Sequence, residues 1–395
     1  MDLQRAKALL TGGGYTCVLC RGDTIHTATQ RGVKPLVDWL DSGLCLRDFS
    51  AADKVVGRAT AFLYVLLGVR AVHSLVMSTP AREVLTANGI AASFDREVPG
   101  IINRRGDGPC PFEEAVLDIT DPAEALTAIR KRQFFMGQPS EIARYTAAKE
   151  FSMDSTGLSG ASIAIFDDMV LRAEPVSEES ENHTAMLRWL ADKLPVPRIL
   201  ETTVQNGSRW TLMTRIRGEM ACAAAWRRDP HRLVRELANA MRALWDIDVS
   251  GCPVDQSPDA KLSRAKRIVE AGQVDMTLVD PETFGEGGFS SPAALLGWLE
   301  EHKPPFSPVL THGDYCLPNV FLDDWQFSGL LDLGRSGVGD KWTDIAICWR
   351  TLRDNFGGHY GGAVPGFHPD ELFDALGIEK DEQRLHYYLL MDELF

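Results

Sequence analysis

Short apolar blocks alternate with polar breaks along this chain, and the spacing inside each block predicts an element. Leu3 to Leu10 has helical spacing and is stopped by Gly12-Gly13-Gly14. Tyr15 to Cys20 and Thr24 to Thr29 read as strands joined through Gly22-Asp23. Lys34 to Ser42 reads as a helix. Ala52 to Leu67 reads as one long apolar helix, with Ala59, Phe62, Leu63 and Leu66 along one face. Val69 to Met77 is a strand, Pro80 to Asn88 a helix stopped by Gly89, and Glu113 to Leu117 a short helical stretch. Asp121 to Lys131 is helical, with Asp121 as N-cap and Pro122 in the first turn. This alternation over residues 1 to 132 predicts an α/β sandwich. From Gln133 to Pro139 the pattern lapses, and Gly137 and Pro139 place a domain boundary there.

A second pattern occupies residues 138 to 395. Ser140 to Phe151 reads as a helix. Asp154 to Asp167 is a Gly/Ser turn followed by a strand, and Met169 to Arg172 is the next strand. Ser177 to Leu194 is a helix that places Glu179, His183, Met186 and Leu190 on one face. Trp210 to Thr214 is a strand, after which Gly218 begins a flexible link. His231 to Ile247 is amphipathic, with Leu233, Leu237, Met241 and Leu244 as its core face. Further helices are expected at Lys261 to Gly272, Pro292 to His302, Asp344 to Asn355, Asp370 to Leu376 and Glu382 to Glu393. Between two of them, Val274 to Gly288 is an acidic loop.

The stretch from Thr311 to Asp344 carries the chemistry. Asp314 and Asn319 flank Pro318, which fixes its own φ and argues for a loop. Val320-Phe321-Leu322, a Leu-Asp-Asp turn, then Trp325-Gln326-Phe327 and Gly329-Leu330-Leu331 read as a hairpin ending at Asp332. Such a hairpin brings Asp314, Asn319 and Asp332 to one end of a small sheet. Two carboxylates and an amide oxygen are hard ligands that suit Mg²⁺ carrying nucleotide phosphates, with one carboxylate left to accept a hydroxyl proton. In the second pattern, backbone N–H groups at Ser159 and Gly160 are placed to face phosphates. No Walker A sequence exists, which excludes a P-loop enzyme.

Composition narrows this further. A chain of 395 residues exceeds one ordinary core, so two or three domains are expected. A net charge of −14 disfavours nucleic acid and is compatible with a cationic substrate. No apolar run approaches spanning length, and the first residues lack a signal-peptide layout, so no membrane partner and a cytoplasmic location are expected. Cys17 and Cys20 form the single CxxC. Without a second pair, a structural zinc site is not expected.

His312-Gly313-Asp314 with Asn319, and Asp332-Leu333-Gly334, resemble the catalytic loop and metal triplet of the kinase-like aminoglycoside 3′-phosphotransferases. The likeness continues through Arg335-Ser336-Gly337, Asp340-Lys341-Trp342, Asp344-Ile345-Ala346 and the last residues, Tyr387 to Phe395. It implies a bilobal protein-kinase-like fold, with residues 138–217 as the N-lobe and 218–395 as the helical C-lobe. It implies ATP and Mg²⁺ as cofactors, Asp314 as the catalytic residue, and Asn319 and Asp332 as metal ligands. Ser159, Gly160 and Arg172 would then face phosphates, and Met213, Thr214 and Ile216 would line the adenine. Arg335, Asp354, Asp392, Glu393 and the terminal Phe395 would surround an aminoglycoside or similar amino sugar. Two positions depart from the family. Arg172 stands where the family has a phosphate-binding lysine, and His183 where it has the glutamate that orients that lysine. Glu179 lies one turn earlier as a substitute. Two other readings stay open: a kinase for another small alcohol or sugar, and a nucleotide-binding pseudokinase.

The first unit resembles an uncharacterised bacterial and archaeal domain family with a cytidine-deaminase-like fold. Arg31 to Leu36, Asp53 to Ala59, Ile101 to Arg104 and Cys110 to Glu114 carry that likeness. Pro109-Cys110 is followed by Glu113 where zinc deaminases have a second cysteine, and no His-x-Glu occurs near Asp53, so no zinc and no deamination are expected. Lys54, Asn103, Arg104, Cys110 and Glu113 are either lining residues of a small-ligand pocket or helix caps and surface.

Overall fold

In the computed structural model, which describes residues 1–147, 149–154, 161–360 and 362–395, the apolar blocks resolve into two units, Met1–Gln138 and Pro139–Phe395. In chain order the first contains α1 (Asp2–Gly12), β1 (Cys17–Arg21), β2 (Thr24–Ala28), α2 (Lys34–Asp41), β3 (Ser50–Val56) and α3 (Arg58–Leu67). It continues with β4 (Ala71–Ser78), α4 (Thr79–Ala87), β5 (Ala91–Val98), α5 (Pro111–Ala115) and α6 (Pro122–Gly137). The sheet order is β2-β1-β3-β4-β5. β1 is antiparallel to β2 and β3, whereas β3, β4 and β5 are parallel and joined by α3 and α4.

Alternation along β1 divides its side chains between two layers. Cys17 and Leu19 join the core beneath α2, α3, α4 and α6, while Val18 and Cys20 pack under α1. The CxxC cysteines therefore face opposite sides of the sheet.

One expectation in this unit is corrected. The apolar run from Ala52 is not a single helix: its first part is β3, Gly57 breaks it in an extended conformation, and α3 follows. Val55-Val56 favours a strand, and β3 is sandwiched between β1 and β4. β5 escaped notice because its Asp95, Arg96 and Glu97 belong to a sheet edge and show no apolar alternation. The helix opened by Asp121 runs on to Gly137, with the Asp121 side chain accepting the Ala123 and Glu124 N–H groups at 2.9 Å each.

The second unit opens with α7 (Ser140–Thr146), shorter than expected, then β6 (Ser152–Asp154), β7 (Ser162–Ile165), β8 (Met169–Pro175), α8 (Glu178–Leu190), β9 (Ile199–Gln205) and β10 (Ser208–Thr214). These strands make one antiparallel sheet, β6-β7-β8-β10-β9. Then come β11 (Glu219–Met220), α9 (Pro230–Trp245), β12 (Asp255–Gln256), α10 (Pro258–Glu270), α11 (Pro292–Glu301), β13 (Pro308–Thr311), β14 (Val320–Asp323) and β15 (Gln326–Leu330). The last elements are β16 (Gly337–Asp340), α12 (Trp342–Phe356), α13 (Glu371–Leu376) and α14 (Glu382–Asp392).

Helices dominate this half, with small sheets β11-β14-β15 and β12-β16-β13 set among them. Leu237 and Met241 of α9, Ile345 of α12 and Tyr387 of α14 share one core with Met186 and Leu190 of α8. Burial of that much apolar surface is what fixes the small sheets in place. Among the described residues no helix is long and apolar enough to cross a membrane.

Candidate active site

The β13 strand ends at Thr311 and delivers His312-Gly313-Asp314 into a tight turn. Gly313 has φ +83°, and a Cβ there would lie 1.8 Å from the Arg335 carbonyl oxygen. Only glycine fits. Asp344, in the first turn of α12, holds this turn from below. Its carboxylate accepts the His312 N–H at 2.9 Å and the Gly313 N–H at 2.8 Å, and it is fully buried. Burial pushes the Asp344 carboxyl above its ordinary range, while His312 and those two N–H groups act against the rise.

His312 completes the support. Its Nε2 donates to the Leu331 carbonyl at 2.7 Å, because a carbonyl only accepts, and Nδ1 then accepts the Asp314 N–H at 3.3 Å. The imidazole thus ties the Asp314 turn to the strand end that precedes Asp332. Asn319 adds a second tie. Its Nδ2 donates to the Asp314 backbone oxygen at 3.0 Å and to Oδ2 at 2.9 Å, and its own carbonyl accepts the Leu331 N–H at 2.9 Å. With its amide nitrogen turned to Asp314, the Asn319 Oδ1 is left as an acceptor for another ligand. Asp332 sits in the left-handed region at φ 52°. The hairpin turn before it is tighter than expected: Asp324 and Trp325 both have positive φ, and Trp325 packs against Trp226 at 5.0 Å.

Arg172 meets this cluster from β8. It pairs with Glu174 at 2.9 Å and with Asp332 at 3.3 Å. Arg172 and Glu174 are two apart on a strand, so they share a face. Burial penalises the Asp332 charge, yet Arg172, His183 and His312 together hold its carboxyl below the ordinary value. Burial also works against the Arg172 charge, but Asp332 and Glu174 more than offset it.

The expected substitution by Glu179 is not what the structure shows. Glu179 pairs with Arg335 at 2.9 Å, and Glu174 is the acid beside Arg172. His183 has a different role. Its Nδ1 accepts the Leu333 N–H at 3.1 Å and so fixes the backbone that follows Asp332.

Burial, with Arg172 adding, pushes the His183 imidazole down to about 4. Unfolded, it takes a proton near 6.5; folded, it resists until about 4. Between those values the unfolded chain binds more protons, so stability falls as pH drops from about 6.5 to 4. Melting curves of His183→Asn, which keeps an acceptor for Leu333, are expected to decline less steeply across that window. Identical declines would contradict this role.

Of the adenine-side positions, Met213 is buried in the sheet and the Thr214 N–H donates to the Arg198 carbonyl at 2.9 Å. Thr214 therefore has no N–H left for a base. Ile216 lies outside the strands, and among the described residues nothing bonds its backbone N–H or C=O. Ser159 and Gly160 lie outside the described residues.

The acids near the end of the chain are already engaged. Asp392 lies between Arg350 and Arg335, the latter at 3.6 Å. Glu393 accepts the Asp280 N–H at 2.8 Å and faces Arg350 at 3.7 Å, which ties the acidic loop to α14. Phe395 has Lys261 and Arg335 over its ring at 5.8 and 5.9 Å. Asp354 is paired with its neighbour Arg353 at 2.8 Å. The sequence assigns no role to Glu174 or Lys261, and places Arg350 on its helix without one. Only Glu174 left a signal, its spacing from Arg172. Lys261 is 6% exposed, and burial pushes its ammonium down to about 8.

Residues 162–368 match the model of the phosphotransferase enzyme family, and residues 5–133 match that of a domain of unknown function, DUF1893. An aminoglycoside 3′-phosphotransferase of Enterococcus faecalis is 34% identical over 227 residues, 57% of this chain and 82% of the relative. A solved aminoglycoside-3′-phosphotransferase of type VIII is 27% identical with a TM-score of 0.54, covering 64% of this chain and 96% of its own. An aminoglycoside phosphotransferase from Streptomyces rimosus, solved with ADP and streptomycin, has a TM-score of 0.53 at 22% identity over 65% of this chain and 96% of its own, a likeness of fold. With a family model spanning more than half its length, this chain belongs to the phosphotransferase enzyme family, among the aminoglycoside kinases that transfer a phosphoryl group to a hydroxyl.

Proposed function

We propose that the chain moves the γ-phosphoryl group of ATP to a hydroxyl of an aminoglycoside, with Asp314 as the group that orients the hydroxyl and accepts its proton. The observation that carries this is the Asp314–Asn319–Asp332 cluster on one hairpin end, with Arg172 facing it. Catalysis is then mainly positioning and charge stabilisation. Mg²⁺ would neutralise charge on the phosphates, and the carboxylate of Asp332 with the free Asn319 Oδ1 is a hard oxygen donor set that fits it. Arg172 would touch the phosphates as a fork rather than a point charge. The backbone of Ile216 is the group we assign to adenine. The pseudokinase and other-alcohol readings lose their support, since the curated relatives are aminoglycoside 3′-phosphotransferases.

Asp392 and Glu393 are the acids we assign to substrate ammonium groups, shared with Arg335 and Arg350. Asp354, paired with Arg353, is assigned with them. Partly exposed pairs contribute about 1 kcal/mol or less each, so several must act together. The test is ADP release with kanamycin-type compounds against a neutral sugar alcohol, over a salt series. Kanamycin is expected to be turned over and its KM to rise with salt. Turnover of the sugar alcohol alone would sink the assignment.

Glu174→Ala gives a second test. Without Glu174, Arg172 leans on Asp332 alone and competes with the metal for that carboxylate. KM for ATP and the Mg²⁺ concentration giving half-maximal rate are both expected to rise several-fold. If neither moves in steady-state kinetics at varied Mg²⁺, Glu174 is merely structural.

A further inference from the structure

The first unit, Met1–Gln138, holds a cavity of about 800 Å³, within the usual size of small-molecule sites. Its floor is polar. The Asp53 carboxylate accepts the Tyr64 hydroxyl at 2.7 Å and the Val55 N–H at 3.1 Å, and Cys17 Sγ lies 3.1 Å from the same hydroxyl. Tyr64 is fully buried and Cys17 nearly so. Among the described residues no cation pairs with Asp53. Burial raises its carboxyl to about 6, against the pull of Tyr64 and the backbone. Tyr64 bonds one oxygen and Val55 the other, and the Lys54 N–H and Cys17 also act on the carboxylate.

The mouth has the opposite character. Arg31, Lys54, Arg104 and Arg105 line the same cavity, all exposed, and none forms an ion pair among the described residues. Besides Asp53, two acids share the lining, Asp107 and Glu113, so the four cations outnumber them, and no ion pair joins the two sets among the described residues. Asp107 is held by Asn103 at 2.7 Å, and Glu113 accepts the Ala59 N–H at 3.1 Å. Glu113 sits so close to Gly57 that a Cβ there would lie 2.4 Å from its carboxylate. The N-terminus of α3 is therefore already occupied, and an incoming anion would meet the side-chain cations instead. Val33, Leu36, Ile101 and Phe112 give the wall between floor and mouth an apolar surface.

We propose that this cavity binds a small anionic metabolite of mononucleotide size, its anionic group on Arg31, Lys54, Arg104 and Arg105 and an N–H-bearing head group on Asp53. Guanidinium forks and an ammonium recognise phosphate or carboxylate. A carboxylate with no cation partner recognises adjacent N–H donors such as those of a guanine edge. The apolar wall suits the flat body between them. The assignment is independent of the second unit's activity.

Isothermal titration of the full chain with guanosine monophosphate, guanosine and ribose 5-phosphate tests it. The monophosphate carries both groups and is expected to bind at least about tenfold tighter than either half. Lys54→Ala with Arg104→Ala removes exposed side chains, so folding is preserved. The double variant is expected to lose about tenfold or more for the monophosphate and nothing for guanosine. Asp53→Asn is expected to bring the monophosphate down toward ribose 5-phosphate. Asp332→Ala, in the second unit, is expected to leave monophosphate binding unchanged. The proposal is overturned by no heat with the monophosphate, by ribose 5-phosphate binding as tightly, or by binding that falls with Asp332→Ala and survives Lys54→Ala with Arg104→Ala.

Discussion

Asp314→Ala is expected to lower kcat by roughly a hundredfold or more while ATP affinity stays nearly unchanged, the range of a lost acid–base group. The geometry gives the reason. Two ties hold the Asp314 backbone, one from His312 Nδ1 and one from Asn319, and neither depends on the Asp314 side chain. Removing the carboxylate therefore leaves the loop in place and takes away one function. Asp332, the neighbouring acid, is paired with Arg172 and is not free to take a proton. Asp314→Asn keeps the shape and loses the base, so it is expected to be nearly as slow as the alanine variant. Intact turnover in either variant would move the proton-accepting role elsewhere.

Asp344→Ala is expected to be the most damaging single change outside the reacting groups. It strands two buried N–H donors, His312 and Gly313, in a place water does not reach. Each stranded donor costs about 1–3 kcal/mol. A loss of several kcal/mol is a large share of a typical domain's stability. The turn carrying Asp314 would also lose its fixed conformation, so kcat falls as well as Tm. Asp344→Asn is expected to recover part of the stability, because one amide oxygen still accepts one N–H. A melting temperature unchanged in Asp344→Ala would refute the anchoring role.

How much was legible follows from the kind of signal each feature leaves. The α/β character of the first unit and the kinase-like architecture of the second were readable, because they rest on repeated apolar spacing and on a dense local motif. The strand Ser50–Val56 was not, because a short buried run looks alike as helix or strand until its sheet neighbours are known. Glu174 was half legible: period-2 alternation puts it on the face of Arg172, but only the fold shows that Glu179 turns instead to Arg335. His183 was read as a lost glutamate. Its contact with the Leu333 N–H crosses 150 positions of sequence, and no local pattern encodes such a pairing. The same holds for Arg350 and Asp392, which meet across two helices.

The most direct measurement of the central claim is phosphoryl transfer itself. Purified chain, Mg²⁺ and ATP labelled at the γ-phosphorus are incubated with kanamycin, and the product is examined by mass spectrometry and phosphorus NMR. One labelled phosphoryl group on a single kanamycin hydroxyl, absent when Asp314→Ala replaces the parent, is the predicted result. ATP consumption with no label on kanamycin, or labelling that persists in Asp314→Ala, would contradict it.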